Sequence, residues 1–375
     1  MTSKRREFYI DNLRIFLTIL VIVHHTAIAY GASGGWCYIT PEIIKGPGII
    51  ALSSMLAVDQ AFFMSLFFFI SALFTPSSVD RKGVGKFLTD RLFRLGIPLL
   101  LTMFVINPSL LYGIAVYTQA TSQGWFDYIT AFISRGLTAS HMWFVLALLI
   151  FELLYLLLGN VAIFKPNYFS GKLPSNRQVL GFLVVCTILA FVIRLVYPIG
   201  GKNFVGLQFG YFGLYMVFYA LGIIASRNNW LNQLSVKRAR KWGIAAVAAI
   251  PLIVLAWISL LANPSLFGEF VGGFHWRSFA LSAWEAVVCT GLCYFFLSWF
   301  KNKLNTSTSF WGQMAANSYS VYFIHPVIVV GFTILLEQFS LIPEIKFLLA
   351  CGLSVVVCFV VSHLLRKIPG VKRVL

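Results

Sequence analysis

Apolar residues in this chain come in long runs, broken by charged segments and by glycine and proline. Ten such runs stand out, at about 12–32, 50–74, 94–117, 141–164, 178–199, 204–226, 242–262, 277–300, 315–336 and 345–365. Each approaches the ~20 residues that an α-helix needs to cross a bilayer. Barrel strands would instead be ~10-residue segments of alternating polarity. The pattern predicts an all-α polytopic membrane protein with about ten transmembrane helices. The longest connections on the side opposite the N-terminus, about 33–49 and 118–140, are too short for a globular domain. A single membrane domain over 1–375, with no extra soluble domain, is therefore expected. Helix-breaking prolines, Pro98, Pro108, Pro198, Pro251 and Pro326, scatter without a repeated pattern.

Composition supports the pattern. Of 375 residues, 59% are hydrophobic and 11% charged, where a soluble domain carries ~25% charge. This excludes a soluble enzyme, a disordered chain and a disulfide-rich secreted module. The net charge of +17 would point to nucleic acid in a soluble protein. Here it reads as topology, because lysine and arginine collect in cytoplasmic segments. With the N-terminus inside, 22 of the 29 cations fall on the cytoplasmic side, beginning with Lys4, Arg5 and Arg6. Only Lys45, Arg135, Lys202, Arg277 and Lys346 fall outside. The expectation is an even number of spans, both termini cytoplasmic, in the cell's cytoplasmic membrane, with the bilayer rather than nucleic acid as partner. A competing reading of the N-terminus is a cleavable signal peptide, from Lys4-Arg5-Arg6, the apolar run to Val23 and Ala27-Ile28-Ala29. Arg14 on that run and His24-His25 at its end argue against it.

The six cysteines form no CxxC pair or Cys/His cluster with metal spacing, so no metal is expected. The informative residues are the ionisable ones left inside the spans: Arg14, His24, His25, Asp59, Glu152, Arg194, Glu285, His325 and His363. Each is costly at bilayer depth and is a functional hypothesis by default. Against that stands interhelical pairing, with Glu152 or Asp59 serving Arg194. Arg14 and His25, eleven residues apart, share one helix face at a separation of ~16 Å, whereas His24 points ~80° away. Imidazole is the commonest general base near neutral pH. The structural alternative is a snorkelling arginine and a hydrogen-bonded core histidine.

Three further clusters follow. Arg91 and Arg94, at i,i+3, share a helical face suited to gripping phosphate, although a topological role explains them equally. His141 and Trp143 sit at the mouth of the fourth span, where tryptophan also serves as a belt residue. In the ninth span, Ser318, Tyr322 and His325 share a face, and Pro326 frees a backbone carbonyl, as suits a cavity lining.

In this order the pieces resemble integral-membrane acyltransferase family 3, which includes polysaccharide O-acetyltransferases and the succinyltransferase of periplasmic glucans. That family's Arg, ten residues, His pattern matches Arg14 and His25. Its Arg-x-x-Arg matches Arg91 and Arg94, and its His-Leu-Trp-Phe run resembles His141-Met142-Trp143-Phe144. Its Ser-Tyr…His segment resembles Ser318-Tyr319…His325. Ala72 stands where glycine is more usual, and Trp284-Glu285 is similar to the glucan-modifying branch. The resemblance implies transfer of an acyl group, acetyl or succinyl, from cytoplasmic acyl-CoA to a hydroxyl of an extracytoplasmic envelope glycan. No permanently bound cofactor is implied; acyl-CoA is the donor substrate. Arg91, Arg94 and Lys86 would hold the CoA phosphates, with Arg14 at the entrance. His25 would act as general base or acyl relay, oriented by Glu285 or His325, and His141, Trp143 and Tyr322 would line the acceptor side. The rival class is a proton-coupled transporter or flippase, in which the buried histidines and carboxylates are relay groups.

Overall fold

The computed structural model describes residues 7–166, 168 and 171–375; Lys4, Arg5 and Arg6 lie outside them. Among the described residues the chain is all-α and contains no strand. Ten helices are long and apolar enough to span a membrane. They are α1 (Phe8–Ala29), α2 (Pro47–Lys82), α3 (Val84–Tyr117), α4 (Ser140–Leu158) and α5 (Asn176–Val196), followed by α6 (Phe209–Arg227), α7 (Val236–Ala262), α8 (Trp276–Lys303), α9 (Ser309–Glu337) and α10 (Pro343–Leu365). All ten expected runs are helical. Their ends differ where local chemistry outweighs hydropathy. The second helix continues through Pro76 into Asp80, Arg81 and Lys82. The fifth begins at a capping box, in which Ser175 and Gln178 each bind the other's backbone N–H. The 118–140 connection carries a short exposed helix, Trp125–Ser134.

The third helix holds two π-helical turns, Leu92–Gly96 and Thr102–Ile106. Each ends one residue before an X-Pro pair, Ile97-Pro98 and Asn107-Pro108. Proline gives no N–H to the carbonyl four residues back, and its ring crowds that carbonyl. The helix widens just upstream in response, the usual setting of a π-bulge.

The first two helices, α6 and α8 form the centre, while α7 is a lipid-facing wall: 61% of the apolar stretch of α1 is buried in the bundle, against 11% for α7. Close approach depends on small residues. A Cβ on Gly222 of α6 would lie 2.4 Å from the Phe69 carbonyl oxygen of α2 and 2.7 Å from the Ala72 methyl. Gly222 thus supplies the room that Ala72 does not. The first helix also packs against α9, and the two run in the same direction. The Asn12 amide donates to the carbonyls of Leu304 (2.7 Å) and Thr306 (2.9 Å), tying the start of α1 to the turn that opens α9. His25 and His325, each ~25 Å along its own helix, are brought level by this register.

Candidate active site

The site starts from a missing donor. Pro326 cannot hydrogen-bond the Tyr322 carbonyl, four residues back in α9. The His325 ring takes that carbonyl instead, with Nδ1 at 2.7 Å. A carbonyl only accepts, so His325 carries its proton on Nδ1 and, when neutral, presents a lone pair at Nε2. That Nε2 lies 3.1 Å from Nδ1 of His25. His25 therefore donates from Nδ1, and its own Nε2 is left with a free lone pair. Backbone carbonyl, His325 and His25 form a directional relay that fixes the tautomer of the last ring. Trp36, from the loop after α1, covers the relay, its indole stacked on His25 with centroids 4.2 Å apart. The neighbouring Cys37 thiol is pushed up to about 12 by burial, so it supplies no thiolate at neutral pH.

His25 lines a cavity of about 270 Å³ that opens among α1, α2, α4, α6, α7 and α8. Its walls carry His24, Gln60, Glu285 and the rings of Trp143, Tyr211, Tyr215, Trp257 and Trp284. Trp143 stacks on Tyr215 with centroids 5.5 Å apart, and Gln60 donates to the Tyr215 hydroxyl (2.6 Å). The Trp284 indole N–H is held by the Ala249 carbonyl (2.8 Å). The result is a set of fixed aromatic faces with a few polar atoms, the common composition of a small-molecule site.

The opposite, basic end of the bundle holds Arg14, Arg91 and Arg94. Arg14 pairs loosely with Asp11 (3.7 Å), keeps 36% of its side chain exposed, and lies over the Phe74 ring. It is within electrostatic reach of both Arg91 and Arg94. The π turn separates the two arginines that an ordinary helix would place on one face. Arg91 reaches inward to the buried Glu152 (3.0 Å). Arg94 is exposed and has no ion-pair partner among the described residues, while its carbonyl, freed by Pro98, accepts from the Tyr319 hydroxyl (3.3 Å).

Several expected pairings change. The partner of Arg194 is Glu285 (2.5 Å), not Glu152 or Asp59; Ser282 (3.1 Å) and the Gly210 carbonyl (3.0 Å) complete the arginine's shell. Glu285 therefore lines the cavity as one half of a buried ion pair, and the side chain in hydrogen-bond contact with His25 is that of His325. Glu152 belongs to Arg91, and Asp59 to His24 (3.5 Å). His141 is buried behind the relay, its Nε2 on the Phe323 carbonyl (3.1 Å) and its ring edge-on to His325. Tyr322 donates to the His141 carbonyl. These two residues brace the relay, and neither lines the cavity. Trp143 does line it. Lys86 is exposed, five residues before Arg91. No local pattern in the sequence marks Trp36 or Tyr215 as site residues. The only signal for Trp36 is a lone tryptophan after Gly34-Gly35 in the first connection.

Ten membrane-length helices enclosing a fixed imidazole beside a cavity define the class: a polytopic membrane protein with a candidate active site inside its bundle. The acyltransferase family model described as "Acyltransferase domain" matches residues 7–363, and the chain belongs to that family. Similar curated proteins include "Glucans biosynthesis protein C" of Escherichia coli strain K12 and of Escherichia coli O157:H7. Each is 25% identical over 271 residues, covering 67% of this chain and 66% of the relative. The chain thus spans just under two thirds of the length of these relatives. No solved structure matches it significantly.

Proposed function

We propose that the protein transfers an acyl group from acyl-CoA, at the basic end, to a hydroxyl of a glycan held in the aromatic cavity, with His25 as the reacting base or acyl carrier. The observation that carries this reading is the relay from the Tyr322 carbonyl through His325 to His25, a cavity-lining residue whose second imidazole nitrogen the relay leaves free. A flippase has no need of a fixed tautomer at a dead-end nitrogen; a nucleophile or general base does.

The basic end suits a phosphorylated donor. Arg94, with no acidic partner among the described residues, and the half-exposed Arg14 would bind the CoA phosphates, with Lys86 at the rim. Arg91 is committed to Glu152 and would set the shape of the mouth. The ~16 Å between Arg14 and His25 along α1 is a span for the thin pantetheine arm. On the other side, the faces of Trp143 and Tyr215 would pack against a sugar ring, with Gln60, Gln208 and the free edge of Glu285 meeting its hydroxyls. By the charge distribution, the basic end faces the cytoplasm, so both termini lie there and the acceptor arrives from outside. The glucan for which these relatives are named is the first acceptor to try.

The test uses purified protein in liposomes, with labelled acetyl-CoA or succinyl-CoA supplied at one face and a glucan oligosaccharide at the other. Acyl esters on the glycan are expected. Movement of intact glycan without ester formation would overturn the reading in favour of a transporter.

A further inference from the structure

The cavity is faced by two histidines, each with its own buried partner, and the chemistry above uses only one. His24 lines the same wall as His25, and their rings lie edge to face at 5.5 Å. Its Nδ1 is buried, 3.5 Å from Oδ2 of Asp59 on α2, an ion-pair distance at which neither atom makes a hydrogen bond. Asp59 is 4% exposed, and among the described residues no lysine or arginine pairs with it. Phe63, stacked on His24 at 5.0 Å, holds the ring in place. A histidine on a cavity wall with a buried carboxylate beside its far nitrogen has the makings of a base–orienter pair, which a small ring rotation would close to hydrogen-bond distance.

His25 has one nitrogen available, because the other is committed to His325. That nitrogen cannot carry an acyl group and remove a proton from the attacking hydroxyl in the same step. Resting on the acyl-transfer reading above, we propose that the two histidines divide the reaction. His25 accepts the acyl group, and His24, positioned by Asp59, is the general base for the acceptor hydroxyl. In the first half-reaction, Nε2 of His25 attacks the thioester carbonyl. A C–N bond forms, the C–S bond breaks, and CoA leaves as the thiolate. In the second, the acceptor oxygen attacks the acyl carbon, and the C–N bond breaks with its electron pair returning to His25. The hydroxyl proton passes to Nε2 of His24, whose imidazolium is balanced by the Asp59 carboxylate. That proton later neutralises the thiolate. The sum is acyl-CoA plus alcohol giving ester plus CoA thiol.

The experiment measures the halves separately in full-length protein in liposomes. Labelled acetyl-CoA without acceptor reports CoA release and label on the protein; added glucan oligosaccharide reports transfer. His24→Ala and Asp59→Asn are expected to keep the acceptor-free burst within about threefold of wild type. Their transfer should fall by about 10²–10⁴-fold, the range for loss of a general base. Added imidazole should restore part of the transfer step in His24→Ala. Asp59→Glu should restore part of what Asp59→Asn loses. Transfer within threefold of wild type in His24→Ala overturns the proposal. So does parallel loss of both halves in a variant that still folds, which would mark a structural role. Wild-type ester formation with no acceptor-free burst overturns the acyl-carrier half. A wild type that forms no ester from either CoA donor would instead refute the underlying reading.

Discussion

The two ends of the bundle use the same backbone defect for different purposes. At the basic end, Pro98 frees the Arg94 carbonyl, a tyrosine hydroxyl from α9 takes it, and the preceding π turn points Arg91 and Arg94 apart. At the cavity end, Pro326 frees the Tyr322 carbonyl, and the group that donates to it is an imidazole that can pass the constraint on. One proline shapes a mouth, and the other fixes a tautomer. The lesson is that a proline in a membrane helix is defined by the group that satisfies the carbonyl it strands.

The largest effect that would sharpen this contrast is expected from His325→Ala. Without the ring that fixes its tautomer, His25 should lose about 10³-fold in kcat, measured as ester formation at saturating acyl-CoA. Pro326→Ala is milder. It restores a backbone N–H that competes for the Tyr322 carbonyl, and a drop of about 10–100-fold is expected from the misplaced ring, with the unfolding temperature in detergent unchanged or raised. Full activity in Pro326→Ala would break the comparison at the cavity end.

The remaining predictions concern the basic end. Arg91→Ala leaves Glu152 buried without its cation. A loss of about 2–3 kcal/mol is expected, at or below the usual range for broken buried pairs because Arg91 keeps 25% of its side chain exposed; thermal unfolding in detergent reads it. Arg94→Ala should leave stability unchanged and raise the KM for acyl-CoA about tenfold, as expected for one charge-assisted phosphate contact. Equal effects of the two substitutions on KM would mean that the arginines act as one clamp and that the π turn does not separate them.

Much of this architecture was legible in the sequence for simple reasons. Bilayer thickness sets a run length, so all ten helices announce themselves. Eleven residues of helix place Arg14 and His25 on one face whatever surrounds them, and Pro326 frees a carbonyl in any helix. The unreadable part is long-range. Nothing local says that Arg194 meets Glu285 or that Arg91 meets Glu152, because each charge had several chemically adequate partners on other helices. The i,i+3 rule misled for Arg91 and Arg94 because the turn between them is wider than an α-turn. His141 and Tyr322 lie beside the site in sequence motif and in space, yet they face the relay rather than the cavity, a distinction set by rotation of whole helices.

The central claim is that His25, poised by His325, is the reacting group of a membrane acyltransferase. It is tested most directly by comparing His25→Ala with wild type in liposomes supplied with labelled acyl-CoA and glucan oligosaccharide. Ester formation is expected to fall by about 10³-fold or more while the variant unfolds at the wild-type temperature. A folded His25→Ala protein that acylates the glycan at the wild-type rate would contradict it.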